Sequence, residues 1–166
     1  ALLEHVNYRA LATDSDIVTL PPEMAIDFGG IAKGFTGDRI LQLLREEGVT
    51  SAILSLGGNI QTLGAKPDGS LWRVAIQDPN DTDSYIGVVS VGETAVVTSG
   101  PYQRYFVSGK NTYHHILNPA TGYPSNSSLQ SVTIICEDGT MADSLSTAMF
   151  VLGESKALNY WRTYGG

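Results

Sequence analysis

The chain has 166 residues, of which 42% are hydrophobic and 16% charged, and its net charge is -7. This balance is that of a single globular domain that can bury its own core, and it excludes general disorder. The chain has 17 acidic and only 10 basic residues, and the basic residues form no Lys/Arg cluster. This composition argues against nucleic acid or an anionic membrane surface as the partner. The single cysteine, Cys136, cannot form an internal disulfide.

Short apolar and β-branched runs between turn-forming residues predict strands, in chain order, at residues 17–20, 24–28, 51–56, 72–76, 85–91, 94–98, 105–107 and 131–136. Helical spacing of apolar residues predicts helices over residues 31–47, 142–152 and 154–162, the first two ended by glycines. Strands in the middle of the chain with helices towards each end favour an α+β fold over a doubly wound parallel sheet. We expect neither a membrane span nor a signal peptide, because the apolar runs are too short and no basic region precedes one.

The first candidate site runs from Asp27 to Gly34, where a glycine turn precedes the predicted helix. Such a turn would aim free backbone N–H groups at a ligand, and Lys33 would add positive charge. The glycine spacing fits neither a P-loop nor a dinucleotide fingerprint. An ordinary tight turn capped by Asp27 explains the same residues, and spacing alone favours that interpretation.

The second candidate is the pair Asp143 and Thr147, which are four residues apart and therefore share one face of a helix. A carboxylate and a hydroxyl without a neighbouring His or Cys suit a hard cation, and Mg²⁺ fits best. The alternative is structural, with Asp143 capping its own helix and Thr147 bonding back to a backbone carbonyl. Spacing alone favours this alternative.

The third candidate is a loop that begins at His114 and His115 and contains Asn-Pro and Thr-Gly turn residues. A loop histidine can transfer a proton near neutral pH, or it can be a plain surface residue. Two histidines without a further ligand are a weak metal signal. Nearby, Ser99 lacks the G-x-S-x-G setting of a nucleophile, and Arg104 either supports a turn or contacts a phosphate.

Five motifs gain specificity from their order along the chain. They are Asp-Phe-Gly-Gly-Ile-Ala-Lys-Gly (27–34), Ser-Leu-Gly-Gly-Asn (55–59), Thr-Ser-Gly-Pro-Tyr (98–102), His-His-Ile-Leu-Asn-Pro-Ala-Thr-Gly-Tyr-Pro (114–124) and Ala-Asp-Ser-Leu-Ser-Thr-Ala (142–148). In this order the chain resembles the ApbE family, the FAD:protein FMN transferases, over nearly its whole length. The resemblance implies an α+β fold similar to the T-fold, with a mostly antiparallel sheet and packed helices. Residues 1–166 would be one domain, the C-terminal portion of such a transferase.

The same resemblance implies a function. Family members bind FAD and Mg²⁺, cleave the FAD pyrophosphate, attach FMN to a Thr or Ser hydroxyl of a target protein, and release AMP. One or two Mg²⁺ ions and a target flavoprotein subunit are therefore the expected cofactor and partner. The expected location is the outer face of a bacterial cytoplasmic membrane or the periplasm, reached through a lipid anchor outside this chain. An Mg²⁺-dependent FAD pyrophosphatase and a non-catalytic flavin-binding or interaction fragment remain alternatives.

The resemblance also assigns roles to individual residues. His115 matches the histidine near the reacting phosphates and is the expected acid or base, with His114 the weaker choice. The residues that match flavin-nucleotide contacts are Asp27, Lys33, Ile116 and Leu117. The residues that match metal ligands are Gly30 (through its carbonyl), Asp143, Thr147 and Ser146, the last through its carbonyl or its hydroxyl.

Family members are considerably longer than this chain, and their N-terminal half supplies further contacts to FAD. A pocket binds tightly only when it buries most of its ligand. We therefore expect this chain alone to bind FAD weakly and to leave flavin-facing apolar residues such as Ile116 exposed.

Overall fold

The computed structural model describes residues 2–165, the Gln103 side chain apart, and these residues form ten strands and three α-helices. The strands are β1 (Ala12–Asp14), β2 (Ile17–Thr19), β3 (Ala52–Leu56), β4 (Asn59–Leu63), β5 (Trp72–Gln77), β6 (Tyr85–Val91), β7 (Ala95–Ser99), β8 (Tyr105–Ser108), β9 (Asn111–His114) and β10 (Val132–Cys136). The helices are α1 (Ala32–Glu46), α2 (Gly139–Leu152) and α3 (Glu154–Tyr164). Short 3-10 helices span Leu3–His5, Tyr8–Ala10 and Pro101–Gln103.

The centre of the fold is a four-stranded sheet in the order β10-β7-β4-β3, with every neighbouring pair antiparallel. Three antiparallel hairpins, β1–β2, β5–β6 and β8–β9, stand apart from it. The β5–β6 hairpin is inserted between β4 and β7, and the β8–β9 hairpin between β7 and β10. The expectation of an α+β fold with antiparallel strands is confirmed.

Helices α1 and α2 pack against each other and against one face of this sheet, and α3 packs on α2. Ala95, Val97 and Ala142 are at most 1% exposed and form the apolar core between the sheet and α2. Glycines let the two helices approach closely, since a Cβ built at Gly34 would lie 2.8 Å from the Asp143 Cβ. No helix within residues 2–165 is both long enough and apolar enough to cross a membrane.

Strands β1, β4 and β9 were not predicted from the sequence. The turn between β3 and β4 has Leu56 opposite Asn59, so its two loop residues are Gly57 and Gly58, with φ of 55° and 88°. Positive φ at both positions is what a tight hairpin turn requires, and glycine adopts it without strain. The turn places the end of β3 and the start of β4 beside the end of β7, because Asn59 pairs with Val97.

The predicted strand at residues 24–28 is wrong. This segment is irregular, and within the described part of the chain it pairs with no strand. Its apolar residues Ile26 and Phe28 are 40% and 58% exposed. Alternating apolar residues predict a strand only where a neighbouring strand can bond the backbone, and none lies beside this segment in residues 2–165.

Candidate functional site

Among three clefts within residues 2–165, one has a volume of about 1020 Å³, against about 430 and 360 Å³ for the other two. It lies at the end of the central sheet where β7 ends and β3 turns into β4. Most of its lining comes from the turn before α1 with the start of that helix, the β3–β4 turn, the end of β7 and the loop after β9, and Gln77, Arg104 and Thr147 complete it. The predicted site residues on its walls are Asp27, Gly30, Lys33, His115, Ile116, Leu117 and Thr147.

Asp143 does not line this cleft; it is only 2% exposed and lies beside Lys33 of the cleft wall. Its Oδ2 accepts a hydrogen bond of 2.9 Å from the backbone N–H of Gly34, the third residue of α1. The carboxylate therefore caps α1, where the helix dipole and an otherwise unpaired N–H favour a negative charge. The expectation that Asp143 caps its own helix is wrong, because α2 begins at Gly139 and its cap is Asp138, which accepts from Met141 N at 2.7 Å.

A second carboxylate makes this capping reciprocal. Asp38 on α1 accepts from the N–H groups of Gly139 and Thr140 at 2.9 and 2.8 Å, and from the Thr140 hydroxyl at 2.6 Å. Each helix thus supplies the carboxylate that satisfies the first turn of the other. This arrangement fixes Asp143 against the N-terminus of α1 and hence against the turn that contains Gly30.

Thr147, one helical turn beyond Asp143, does not bond back to a carbonyl in the described structure. Its Oγ1 lies 3.1 Å from the Oγ of Ser99 at the end of β7, and that Oγ is 2.8 Å from the Oγ of Ser146. The Ser146 hydroxyl in turn donates to the Asp143 carbonyl at 2.9 Å. Ser146 is fully buried, at 0% exposure, so its hydroxyl is engaged inside the protein.

His115 is exposed at the cleft wall and held by one carbonyl. Its Nδ1 is 3.1 Å from the Arg104 carbonyl oxygen, which also accepts from the His115 backbone N–H at 3.2 Å. A carbonyl oxygen can only accept, so Nδ1 carries the proton of the neutral ring. The lone pair is then on Nε2, the nitrogen suited to act as a general base.

His114 differs from His115 in that both of its ring nitrogens form hydrogen bonds. Its Nδ1 accepts from the Ile116 N–H at 3.3 Å, and its Nε2 is 3.1 Å from the Ser125 carbonyl. The ring also lies edge-on to Phe150 at 5.9 Å between centroids. Both nitrogens are therefore used within the fold, which supports the choice of His115 over its neighbour.

The apolar pair after the histidines divides between core and cleft. Ile116 is only 5% exposed, so the expectation that it would be left exposed is wrong. Leu117 is 53% exposed and is the residue of the pair that presents apolar surface to solvent. The loop that carries it closes through bonds from the N–H groups of Thr121 and Gly122 to the Asn118 carbonyl, at 3.1 and 2.8 Å.

Charged side chains on the cleft walls are of both signs. Lys33 and Arg104 are cationic, and the Lys33 Nζ lies 3.9 Å from the Asp143 Oδ1. Asp27 is exposed, and its Oδ1 accepts from the Gly29 N–H at 2.7 Å, which closes the turn before α1. Two cations beside a glycine turn are suited to bind phosphate groups.

The oxygen atoms near Asp143 fit a hard divalent cation. Asp143 keeps one carboxylate oxygen that no backbone group occupies, and Thr147 supplies a hydroxyl. Gly30 is adjacent, because a Cβ built on it would lie 4.0 Å from the Thr147 Cγ2. Within residues 2–165, no group of three or more His, Cys, Asp or Glu side chains is arranged so that it could hold a metal ion. The donor set is thus one carboxylate and neutral oxygens, the ligand types that a hard cation such as Mg²⁺ takes.

The sequence of residues 1–166 matches the family described as "ApbE family" over its whole length. The chain belongs to the ApbE family. A curated relative from Treponema pallidum named FAD:protein FMN transferase is 43% identical over 152 residues, which are 86% of this chain and 42% of the relative. A relative of the same name from Klebsiella pneumoniae is 39% identical over 87% of this chain and 44% of its own length. The chain thus spans less than half of these relatives.

Solved ApbE structures agree with this fold. The ApbE protein of Thermotoga maritima superposes with a TM-score of 0.91 at 37% identity, over 99% of this chain and 54% of that one. The flavin transferase ApbE of Vibrio cholerae gives a TM-score of 0.86 at 30% identity, over 98% of this chain and 52% of its own. The predicted resemblance to the ApbE fold is confirmed.

Sequence reasoning left two parts of this ApbE cleft without a role. Gln77, at the end of β5, lines the cleft, and so do Gly57 and Gly58 of the β3–β4 turn. The paired glycines were a usable signal, since Gly-Gly between apolar runs indicates a hairpin. For Gln77 the sequence contained no such signal, because its place at the cleft depends on where the β5–β6 hairpin packs.

Proposed function

We propose that this chain carries the catalytic cleft of an FAD:protein FMN transferase, which moves FMN from FAD to a Thr or Ser hydroxyl of a target protein and releases AMP. The observation that carries the proposal is one cleft that contains His115 with a free Nε2, the cationic side chains of Lys33 and Arg104, and the Thr147 hydroxyl. The names of the relatives, FAD:protein FMN transferase, support it.

The cations would bind the pyrophosphate of FAD. Lys33 and Arg104 lie on walls of the same cleft, and the turn at Gly29 and Gly30 brings backbone close to it. Charge-assisted hydrogen bonds to phosphate oxygens are stronger than neutral ones, and they become stronger still as charge develops on the oxygens. Leu117 offers an exposed apolar surface to the flavin or adenine ring.

His115 would act as the general base. Its Nε2 removes the proton from the acceptor hydroxyl, the hydroxyl oxygen bonds to the phosphorus of the FMN half, and the bond to the bridging oxygen breaks. That oxygen leaves as part of AMP, so the products are the FMN phosphoester and AMP. The Arg104 carbonyl holds the ring throughout and stabilises the imidazolium that forms.

Asp143, Thr147 and the Gly30 carbonyl are the residues that would hold Mg²⁺. When bound there, Mg²⁺ would neutralise charge on the pyrophosphate oxygens as the phosphoanhydride breaks. The Lys33 ammonium, 3.9 Å from the Asp143 Oδ1, lies beside this position. Ser146 would contribute only through its backbone carbonyl, since its hydroxyl is bonded inside the helix packing.

Two further expectations belong to the same proposal. The partner would be a flavin-carrying protein subunit, and the reaction would occur on the outer face of a bacterial cytoplasmic membrane or in the periplasm. Both rest on the family resemblance.

Hydrolysis of FAD to FMN and AMP is a second candidate for this cleft. His115 is exposed and the cleft is open to solvent, so water can reach the position of the acceptor hydroxyl. The same base and the same leaving group would then serve a pyrophosphatase.

One incubation separates these functions. The protein is mixed with saturating FAD, Mg²⁺ and a Thr-containing acceptor, and the acceptor and the nucleotides are analysed by mass spectrometry. A flavinylated acceptor with AMP supports transfer, FMN with AMP and an unmodified acceptor supports hydrolysis, and unchanged FAD contradicts both. His115→Gln should lose activity, whereas the matched control His5→Gln, which changes a histidine outside the cleft, should keep it.

A further inference from the structure

We propose that Ser99 and Ser146 orient the Thr147 hydroxyl, so that its proton points into the protein and its lone pairs face the cleft. The inference rests on the proposed cation site at Asp143 and Thr147. It assigns Ser99 and Ser146 positioning roles that act through Thr147.

Four groups from two elements form a continuous chain of hydrogen bonds. The distances are 3.1 Å from Thr147 Oγ1 to Ser99 Oγ, 2.8 Å from Ser99 Oγ to Ser146 Oγ, and 2.9 Å from Ser146 Oγ to the Asp143 carbonyl oxygen. Ser99 is 9% exposed and Ser146 is 0% exposed. Water therefore has little access to the middle of the chain, and each hydroxyl depends on its protein partners.

The end of the chain fixes the direction of every proton in it. The Asp143 carbonyl can only accept, so Ser146 uses its one proton there. Ser146 can then only accept from Ser99, which uses the Ser99 proton. Ser99 in turn can only accept from Thr147. The proton of Thr147 is thereby directed into the fold.

This direction matters for a cation. A hydroxyl that keeps its proton on the protein side offers lone pairs to a metal, whereas one whose proton points into the cleft repels it. Orientation of a metal ligand by its hydrogen-bond partners is a general way in which proteins tune metal sites. Ser99 lies on β7 and Thr147 on α2, so the bond also holds the ligand against the sheet.

Mn²⁺ binding to the FAD-free protein tests the proposal without reference to catalysis. The probe is Mn²⁺ alone, and the free ion is measured by electron paramagnetic resonance. In Ser99→Ala the Thr147 proton loses its acceptor, and we expect Mn²⁺ affinity to fall on the order of tenfold, the equivalent of one lost hydrogen bond. The matched control is Thr133→Val, which removes a hydrogen bond of 2.8 Å between the Thr133 and Thr98 hydroxyls on neighbouring strands. This variant should bind Mn²⁺ as the unmodified chain does.

Two further variants decide whether the effect passes through Thr147. In a Thr147→Val background, Ser99→Ala should cause no additional loss of Mn²⁺ affinity, because the oriented hydroxyl is already absent. Ser146→Ala should weaken Mn²⁺ binding as Ser99→Ala does, because Ser99 then turns its proton towards Thr147. Ser146→Ala reaches the same Thr147 hydroxyl through a different side chain, so it keeps the test decisive if Ser99→Ala does not fold.

Two results would overturn the positioning role. One is normal Mn²⁺ affinity in folded Ser99→Ala or Ser146→Ala. The other is a loss of Mn²⁺ affinity from Ser99→Ala that is as large in the Thr147→Val background as in the unmodified chain. That result would leave the proposed transferase intact as long as the unmodified chain binds Mn²⁺ and flavinylates its acceptor. Absence of Mn²⁺ binding by the unmodified chain would overturn both the positioning role and the cation site on which it rests.

Discussion

Replacing Asp143 by Ala and by Asn should separate its structural role from its role as a ligand. In Asp143→Ala the Gly34 N–H, now bonded at 2.9 Å to a carboxylate that is 2% exposed, loses its partner inside the fold. An unsatisfied buried donor costs about 1–3 kcal/mol. The contact with Lys33 adds little, about 0–1 kcal/mol, because the Lys33 side chain is 42% exposed and its Nζ lies 3.9 Å from the carboxylate. We expect Asp143→Ala to lose about 2 kcal/mol of unfolding free energy.

Asp143→Asn keeps an oxygen for the Gly34 N–H and should lose less than about 1 kcal/mol, near the net value of a single hydrogen bond. Urea denaturation measures the difference, because at an m-value of about 2 kcal/mol/M a 2 kcal/mol loss moves the midpoint by about 1 M. Both variants should lose Mn²⁺ binding, since both remove the negative charge. Equal stability of the two variants would refute the capping role, and Mn²⁺ binding retained by folded Asp143→Asn would refute the ligand role.

Three further perturbations test other parts of the account. His115→Gln should abolish FMN transfer without changing the melting temperature, whereas His114→Gln should lower stability by about 1–2 kcal/mol because both of its ring nitrogens are bonded in the fold; activity retained by His115→Gln would remove the assigned base. Gly30→Val should fold, since a Cβ there meets only Thr147 at 4.0 Å, but should weaken Mn²⁺ binding; unchanged binding would place the cation elsewhere. Burial raises the pKa of the Cys136 thiol, so at pH 8 its thiolate fraction and its alkylation rate should lie below those of free cysteine, and a faster reaction would contradict the assigned environment.

Local patterns in the sequence predicted much of the secondary structure. Residues 31–47 predicted α1, which spans Ala32–Glu46, because an amphipathic helix ending at Gly48 is defined by its own residues. The sequence did not predict strand β4, because the polar residue Gln61 is buried in it and interrupts the apolar pattern. That side chain is polar for a tertiary reason, since its Nε2 donates to the Gly34 carbonyl at 3.0 Å, a contact between residues 27 positions apart.

The hypothesis for the candidate site came from residue types and from motif order. The spacing of Asp143 and Thr147 allowed an oxygen-only cation site but by itself favoured a structural role, and the family resemblance placed His115 with them. The spacing could not indicate that Asp143 caps a helix 109 residues away, or that Ser99 bonds to Ser146 across 47 residues. Such contacts follow from the packing of α1 against α2 and of α2 against the sheet.

Nuclear magnetic resonance of the amide groups tests most directly whether this cleft is the flavin-nucleotide site. Chemical-shift changes report weak binding, which suits a chain that spans less than half of its relatives. On addition of FAD with Mg²⁺ we predict shifts at Gly29, Lys33, His115 and Leu117. Asp38 should be unaffected, because it lies in a separate cleft that is acidic through Asp38, Glu93, Glu137 and Asp138. Saturating FAD that leaves these amides unchanged, or that shifts the acidic cleft instead, would contradict the account.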